Sequence, residues 1–293
     1  MNKLPRPSVD DKKLIEDLAN NTRLTRTTYP HLKEKLKEVI EQYQFYEDQC
    51  GNALQISNHI IPDQLKNGLI KHYNSPPKSL TFIDNLRKSS PDSCPMCGSF
   101  HSSTLDHLLP KENYPLWSIY SKNLVPACQC NSKRGETLLG NRTKGERVLH
   151  PYFDECLSLR IITCEITSND QYKTVEIKLK VLPIAHENQN AFEFHLKEIV
   201  CKSGLVEWLK NKWGKLYRKP SAYFHGIKGK QFDNVENFKT FINDYREWTD
   251  ENHGGKNNWD SILITGILSS DDIIEWLFNR HNGIETGQID PLD

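Results

Sequence analysis

The sequence lacks long hydrophobic segments. Its 293 residues are 37% hydrophobic and 26% charged, and no run of about 18 apolar residues occurs, which excludes the usual membrane-spanning helix. The first thirteen residues, MNKLPRPSVDDKK, also lack the apolar stretch of a secretory signal peptide. We therefore expect a cytoplasmic protein that has no membrane partner.

An excess of charge of either sign is also missing. Lys and Arg total 38, and Asp and Glu total 38, which gives a formal net charge of zero. Neutrality argues against non-specific binding of phosphate over the whole surface, but it permits a local basic groove. Residues 210–219, KNKWGKLYRK, are such a basic segment, whereas residues 269–293 are acidic. Internal repeats and low-complexity segments are absent, so a solenoid is not indicated.

The periodicity of apolar residues predicts a mainly helical chain. In residues 31–49, Leu32, Leu36, Ile40 and Tyr43 recur at helical spacing. A second helix is predicted over 61–73, ended by Pro76 and Pro77, and a short third helix over 80–86. Alternating β-branched residues in 157–183 predict a β-hairpin. Helices return from residue 188, and the last of them is expected to start at Ser269 or Ser270 and to end at Gly283.

Four of the eight cysteines stand at spacings typical of a metal site. Cys94 and Cys97 are separated by two residues and followed by Gly98, and Cys128 and Cys130 are separated by one. Two such pairs predict a structural zinc ion held by four thiolates. In a reducing cytosol, this reading is favoured over disulfides.

Polar residues with catalytic chemistry lie between and after the cysteine pairs. Asp106 and His107 interrupt an apolar segment, where burial of polar groups is costly without a compensating role. A carboxylate suits Mg²⁺ or Mn²⁺, and a neutral imidazole accepts a proton from water. Asn131 is expected early in a helix, with its amide oxygen towards the same metal. Asn123 is expected to bridge backbone groups in the loop that carries His107.

This pattern resembles the HNH endonucleases, which have the ββα-metal fold. The shared elements are Cys-x-x-Cys, Asp-His-x-x-Pro-Lys, Asn-Leu-x-Pro-x-Cys and Cys-Asn-x-Lys-x-Gly, within residues 92–150. The resemblance implies that His107 is the general base, that Asp106 and Asn131 bind the catalytic Mg²⁺ or Mn²⁺, and that Asn123 completes the catalytic set. It also implies DNA as the substrate, with a 5′ phosphate and a 3′ hydroxyl as products.

One departure from the family concerns the second cysteine pair, which is usually Cys-x-x-Cys. The shorter spacing here leaves two alternatives for the fourth zinc ligand. Cys128 reaches the zinc through a tighter turn, or His101, four residues after Cys97, takes its place.

Five basic residues are candidates for contact with nucleic acid. Lys111, Lys133 and Arg134 lie in the motif, and Lys212 and Lys215 lie in the basic segment among tryptophans and tyrosines. That mixture suits phosphate contact and base stacking. The alternative is an amphipathic helix whose aromatic residues face the core. His150, just after the motif, either supports the site or serves only packing.

The predicted fold class is α+β: a mostly helical protein that carries a central zinc-stabilised ββα-metal motif and a β-hairpin after it. The predicted divisions are a helical region over 1–91, the nuclease motif over 92–150, and a hairpin with helices over 151–293. Helical extensions on both sides of the motif resemble nucleases of mobile elements and anti-phage defence, some of which act beside a partner ATPase. We therefore expect a gated defence nuclease with an ATPase partner or a homo-oligomeric form. The alternatives are a self-sufficient endonuclease and a zinc-stabilised nucleic-acid or protein interaction module without catalysis.

Overall fold

A computed structural model describes residues 1–89, 91–100, 102, 104–183 and 188–292. Helices dominate this part of the chain, together with two antiparallel pairs of strands, so the α+β class is confirmed. The helices are α1 Asp11–Asn20, α2 His31–Glu34, α3 Leu36–Asp48, α4 Asp63–Asn74, α5 Thr81–Lys88, α6 Cys130–Arg134, α7 Gln189–His195, α8 Leu205–Arg218, α9 Val235–Asn252, α10 Trp259–Leu268 and α11 Asp271–Glu285. The strands are β1 Thr104–His107, β2 Leu124–Ala127, β3 Ile162–Thr167 and β4 Glu176–Val181.

The amino-terminal helices follow the predicted pattern with one interruption. The segment 31–49 forms two helices, α2 and α3, that are divided at Lys35. The buried side of α3 consists of Val39, Tyr43 and Tyr46. Helix α4 ends at Asn74, directly before the Ser-Pro-Pro step, because proline cannot continue a helix.

The predicted hairpin is the antiparallel pair β3–β4, in which Ile162 lies opposite Val181 and Thr167 opposite Glu176. Helix α10, which the periodicity did not reveal, packs against β3. Eight of its ten residues, over 259–268, are buried. A helix that is apolar on all sides has no polar face to give a periodic signal. The last helix is capped by the Ser270 side chain, as expected, and extends two residues beyond Gly283.

The buried apolar side chains form one cluster that runs through all three predicted regions. The central segment with the cysteines therefore lies between the amino-terminal helices and the carboxy-terminal helices. The exact division at residues 91 and 150 stays a prediction. Within the described residues, no helix is both long enough and apolar enough to cross a membrane.

Candidate active site and zinc site

The four predicted cysteines meet in one cluster. Their sulfur atoms all lie within 4.8 Å of one another. The Sγ atoms of Cys94 and Cys130 are 3.7 Å apart, and those of Cys97 and Cys128 are 3.4 Å apart. A tetrahedral zinc site with zinc–sulfur bonds of about 2.3 Å has sulfur–sulfur distances of about 3.8 Å. The donor set and its dimensions therefore fit a structural zinc ion.

Cys128 takes the fourth position of the cluster despite the short spacing. Its backbone N–H donates to Cys94 Sγ at 3.3 Å, and the N–H of Cys130 donates to Cys128 Sγ at 3.2 Å. Hydrogen bonds from the thiols of Cys130 and Cys94 lower the pKa of Cys128 well below its usual range. The thiolate is the form that binds zinc. The alternative ligand, His101, lies outside the described residues.

The carboxy-terminal region holds the first cysteine pair in place. Gly98 has φ +78°, and a Cβ atom there would lie 2.1 Å from the carbonyl oxygen of Asn257, so only glycine fits. Trp259 Nε1 donates to the carbonyl of Cys97 at 2.9 Å. His195 Nε2 donates to the carbonyl of Met96 at 2.7 Å. The turn between the two cysteines is thus anchored by residues about 100 and 160 positions along the chain.

Strands β1 and β2 and helix α6 form a ββα unit beside the cysteine cluster. The strands are antiparallel, with Asp106 opposite Val125 and His107 opposite Leu124. Cys130 is the first residue of α6, so the cysteine cluster fixes the start of this helix. The cysteine cluster therefore also fixes the position of Asn131, the next residue of α6. The expected strand–strand–helix order is therefore present.

The geometry around His107 defines its tautomer. Its Nε2 lies 2.9 Å from the carbonyl oxygen of Ser118, which can only accept a hydrogen bond. Nε2 therefore carries the proton, and Nδ1 is the proton acceptor of the ring. Burial lowers the pKa of His107 to about 4, so the ring is neutral at pH 7. The ring of Tyr73, from α4, packs edge-on at 4.1 Å between centroids and holds the plane of the imidazole.

Asp106 forms a buried ion pair that the sequence did not reveal. Arg134 Nη2 donates to Asp106 Oδ2 at 2.9 Å and to the carbonyl of His107 at 2.9 Å. Arg134 Nη1 donates to the carbonyls of Leu108 and Thr137 at 3.3 and 3.1 Å. Burial raises the pKa of Asp106, and the guanidinium opposes that rise. The prediction that Arg134 contacts a phosphate is corrected: only 1% of its side chain is exposed, because the guanidinium neutralises a buried carboxylate.

Asp106, His107 and Asn131 line one open cavity of about 360 Å³. Tyr73 and Lys111 complete the wall of this cavity on the side of α4, and Glu112 lies on its rim. Lys111 Nζ is 3.0 Å from the carboxylate of Glu112. The three predicted metal and base residues are thus brought together, and two basic residues, Lys111 and Arg134, line the same cavity.

Asn123 lies outside this cavity and is fully buried. Its Nδ2 donates to the carbonyls of Leu109 and Trp117, both at 3.1 Å, and its Oδ1 accepts from the N–H of Leu109 at 2.8 Å. The expectation that this amide bridges backbone groups beside His107 is confirmed. Its position is directly before β2.

The remaining basic candidates lie away from the cavity lining. Lys133 is exposed, and its Nζ donates to the carbonyl of Ser203 at 3.4 Å. Lys212 and Lys215 are on α8, and Lys212 Nζ lies 4.8 Å from the ring centre of Trp208. Trp213 is buried on the opposite face of α8, as the amphipathic alternative requires. These lysines stay candidates for phosphate contact, whereas Trp213 is not available for base stacking.

The comparisons with known proteins leave the family open. No family model matches the chain, and no solved structure matches it. A stretch of 101 residues is 31% identical to the protein ea31 of Escherichia phage lambda. The match covers 33% of this chain and 33% of that protein, so the chain spans about a third of the length of this curated relative.

Proposed function

We propose that the protein is a metal-dependent endonuclease of the HNH type that hydrolyses phosphodiester bonds in DNA. The observation that carries the proposal is the cavity in which a neutral His107, with Nδ1 as its proton acceptor, lies beside Asp106 and Asn131. A buried neutral imidazole next to a carboxylate and an amide oxygen is the combination that metal-assisted hydrolysis uses.

Asp106 and Asn131 would hold the Mg²⁺ or Mn²⁺ ion, since both ions prefer oxygen ligands. The bond from Arg134 engages only Oδ2 of Asp106, and each carboxylate oxygen has two lone pairs. When bound, the metal supplies charge stabilisation at the scissile phosphate and the leaving oxygen. The donor set of the cavity is consistent with such an ion.

His107 has the role of general base in this proposal. The carbonyl of Ser118 holds the proton on Nε2, so a water molecule in the cavity would lose its proton to Nδ1. The ring then carries a positive charge, which the nearby carboxylate of Glu112 stabilises. Lys111, whose side chain reaches the cavity wall, is placed to contact a phosphate of the substrate strand.

The wider setting of a gated defence or mobile-element nuclease belongs to the same proposal. It is supported by the resemblance of the motif and by the neutral net charge, which gives a weak general attraction to DNA. An ATPase partner or a homo-oligomer would then supply the affinity for DNA that the neutral chain lacks. Purification with and without co-expressed neighbouring gene products tests this part.

One observation favours a second candidate, a zinc-stabilised interaction module without catalysis. Asp106 is already neutralised by the buried guanidinium of Arg134, which gives the carboxylate a structural role. In that case, the cysteine cluster would serve only to build a stable surface.

The deciding experiment is cleavage of supercoiled plasmid by the purified protein in Mg²⁺ or Mn²⁺. His107→Ala is compared with His225→Ala, which alters an exposed histidine outside the cavity, at equal zinc content. Loss of a general base lowers the rate by roughly 10²–10⁴-fold, so we expect that loss in His107→Ala alone. Equal cleavage by both variants would contradict the role of His107. No cleavage by the wild type, alone or with its neighbours, would favour the interaction module.

A further inference from the structure

A chain of buried hydrogen bonds leads from outside the cavity to the segment that presents His107. We name residues 108–123, which connect β1 to β2, the His107 loop. Asn123 ties this loop together through the carbonyl of Trp117 and both backbone groups of Leu109. Trp117 directly precedes Ser118, whose carbonyl fixes Nε2 of His107. The orientation of the Asn123 amide therefore bears on the tautomer and position of His107.

Tyr46 provides the fourth hydrogen bond to that amide. Its hydroxyl donates to Asn123 Oδ1 at 3.2 Å, and the same hydroxyl lies 2.9 Å from Nε2 of His150. The N–H of Tyr152 points at the other ring nitrogen, His150 Nδ1, at 3.2 Å. A backbone N–H can only donate, so the neutral His150 ring carries its proton on Nε2 and donates it to Tyr46.

The hydrogen bonds along this chain therefore all run in one direction. They pass from the N–H of Tyr152 through His150 and Tyr46 to Asn123, and end at the carbonyls of Leu109 and Trp117. Reversal of the Asn123 amide would set its oxygen against two carbonyls and its NH₂ against a donor, so only one orientation is satisfied. Such connected buried networks hold a unique geometry.

The surroundings leave the His150 ring little room to turn. Gly51 has φ +61°, and a Cβ atom there would lie 2.3 Å from the imidazole Cδ2. His150 and Tyr46 are both buried. Because Tyr46 lies on α3 and His150 lies beyond the ββα unit, their contacts carry the position of α3 into the His107 loop.

We propose that Tyr46 and His150 are positioning residues, which orient the amide of Asn123 and through it the His107 loop. Neither side chain lines the cavity, so neither contacts the substrate. The catalytic part of this inference rests on the proposed nuclease function. Its structural part concerns His107 alone and can be measured without substrate.

The test uses the full chain with Tyr46→Phe, which keeps the ring and removes the hydroxyl. Tyr245→Phe is the control, because it also removes a hydroxyl that donates to a backbone carbonyl, that of Tyr223, which lies outside the His107 loop. At equal zinc content, we expect kcat to fall about tenfold in Tyr46→Phe with KM unchanged, and no change in Tyr245→Phe. A fall in kcat with KM unchanged indicates a lost transition-state interaction, as expected for a displaced base, whereas a lost substrate contact would raise KM.

A second pair of variants covers the case in which Tyr46→Phe does not fold. His150→Gln keeps an N–H donor for Tyr46, whereas His150→Leu does not, and both remove the imidazole. We expect His150→Gln to retain cleavage and His150→Leu to lose about tenfold in kcat. Equal activity in the two variants would overturn the proposal, because the donor would then be without effect.

The ring ¹⁵N signals of His107, assigned by their absence in His107→Ala, provide a measurement that does not depend on cleavage. In the wild type, we expect the tautomer with the proton on Nε2, and in Tyr46→Phe a mixture of tautomers or broadened signals. Unchanged signals in Tyr46→Phe would overturn the positioning role even if the protein is a nuclease. If the wild type cleaves no DNA but the His107 signals change in Tyr46→Phe, the proposed function is overturned and the positioning role is kept.

Discussion

The ion pair between Asp106 and Arg134 is the feature of the site most open to a quantitative test. Arg134→Leu removes four hydrogen bonds, one to the carboxylate and three to backbone carbonyls. It also leaves a carboxylate that is only 7% exposed without its cation. Removal of one partner of a buried pair costs about 3–5 kcal/mol, because the remaining charge stays desolvated. For a protein of 293 residues, that corresponds to a fall in Tm of roughly 5–8 °C.

Urea and thermal unfolding of the zinc-loaded full chain would measure this cost. Arg142→Leu is the control, since Arg142 is exposed and its guanidinium reaches only the carbonyl of Leu54. Changes at such exposed sites are usually within about 0.5 kcal/mol. The double variant Asp106→Leu/Arg134→Leu should recover part of the loss, because replacing both charges by apolar groups is often close to neutral. We expect only part of the unfolding free energy to be recovered, since the three backbone carbonyls that Arg134 bonds still lack their donor.

Two results would refute this account. A loss below about 1 kcal/mol in Arg134→Leu would place the pair in the range of exposed ion pairs. A double variant as unstable as the sum of its single changes would mean that the two side chains are energetically independent.

Three further predictions concern the zinc site and its surroundings. Cys128→Ser should lose bound zinc and several kcal/mol of unfolding free energy, since a structural zinc contributes directly to folding; a full equivalent of zinc by elemental analysis would exclude Cys128 as a ligand. Gly98→Ala should destabilise more than Gly145→Ala, because both have φ near +77° but only position 98 meets a neighbouring atom, the carbonyl of Asn257; equal unfolding midpoints would contradict the close contact. Burial lowers the pKa of His150 to about 3, so the stability present above pH 6.5 should fall as the pH drops, by about 2 kcal/mol between pH 7 and 5. His150→Gln should reduce the slope of unfolding free energy against pH by this amount, while His107 and His195, whose pKa burial lowers to about 4, keep their own contributions; an unchanged slope would mean that His150 contributes nothing.

The local geometry of the site followed from the sequence because its parts are close along the chain. The cysteine pairs, β1, β2 and α6 all lie within residues 94–134. Short spacings along the chain determine which side chains share a turn. Asp106, His107 and Asn131 therefore line one cavity, as the sequence predicted. The turn before α6 accommodates the short spacing between Cys128 and Cys130.

The supporting contacts could not be predicted, because they join residues that are far apart in sequence. Tyr46 and Asn123 are separated by 77 positions, and His195 and Met96 by 99. No spacing rule connects a tyrosine on a helix to an amide in a distant loop. Arg134 was predicted to contact a phosphate because it is a basic residue of the motif, whereas its guanidinium is buried against the carboxylate of Asp106. A basic residue next to a buried acid in the same motif is a signal that could have indicated the pair.

Two sets of contacts hold the candidate site in place, and each holds a different part of it. The cysteine cluster fixes the start of α6 and hence Asn131, whereas the Asn123 amide fixes the His107 loop. Arg134, at the end of α6, joins the two parts, because one guanidinium nitrogen bonds both the Asp106 carboxylate and the His107 carbonyl. A change that loosens α6 would therefore move Asn131 and release Asp106 together, while a change at Asn123 would act on His107 first. The loss of zinc and the loss of the Asn123 network should thus damage the site in distinguishable ways, the first through the proposed metal ligands and the second through the proposed base.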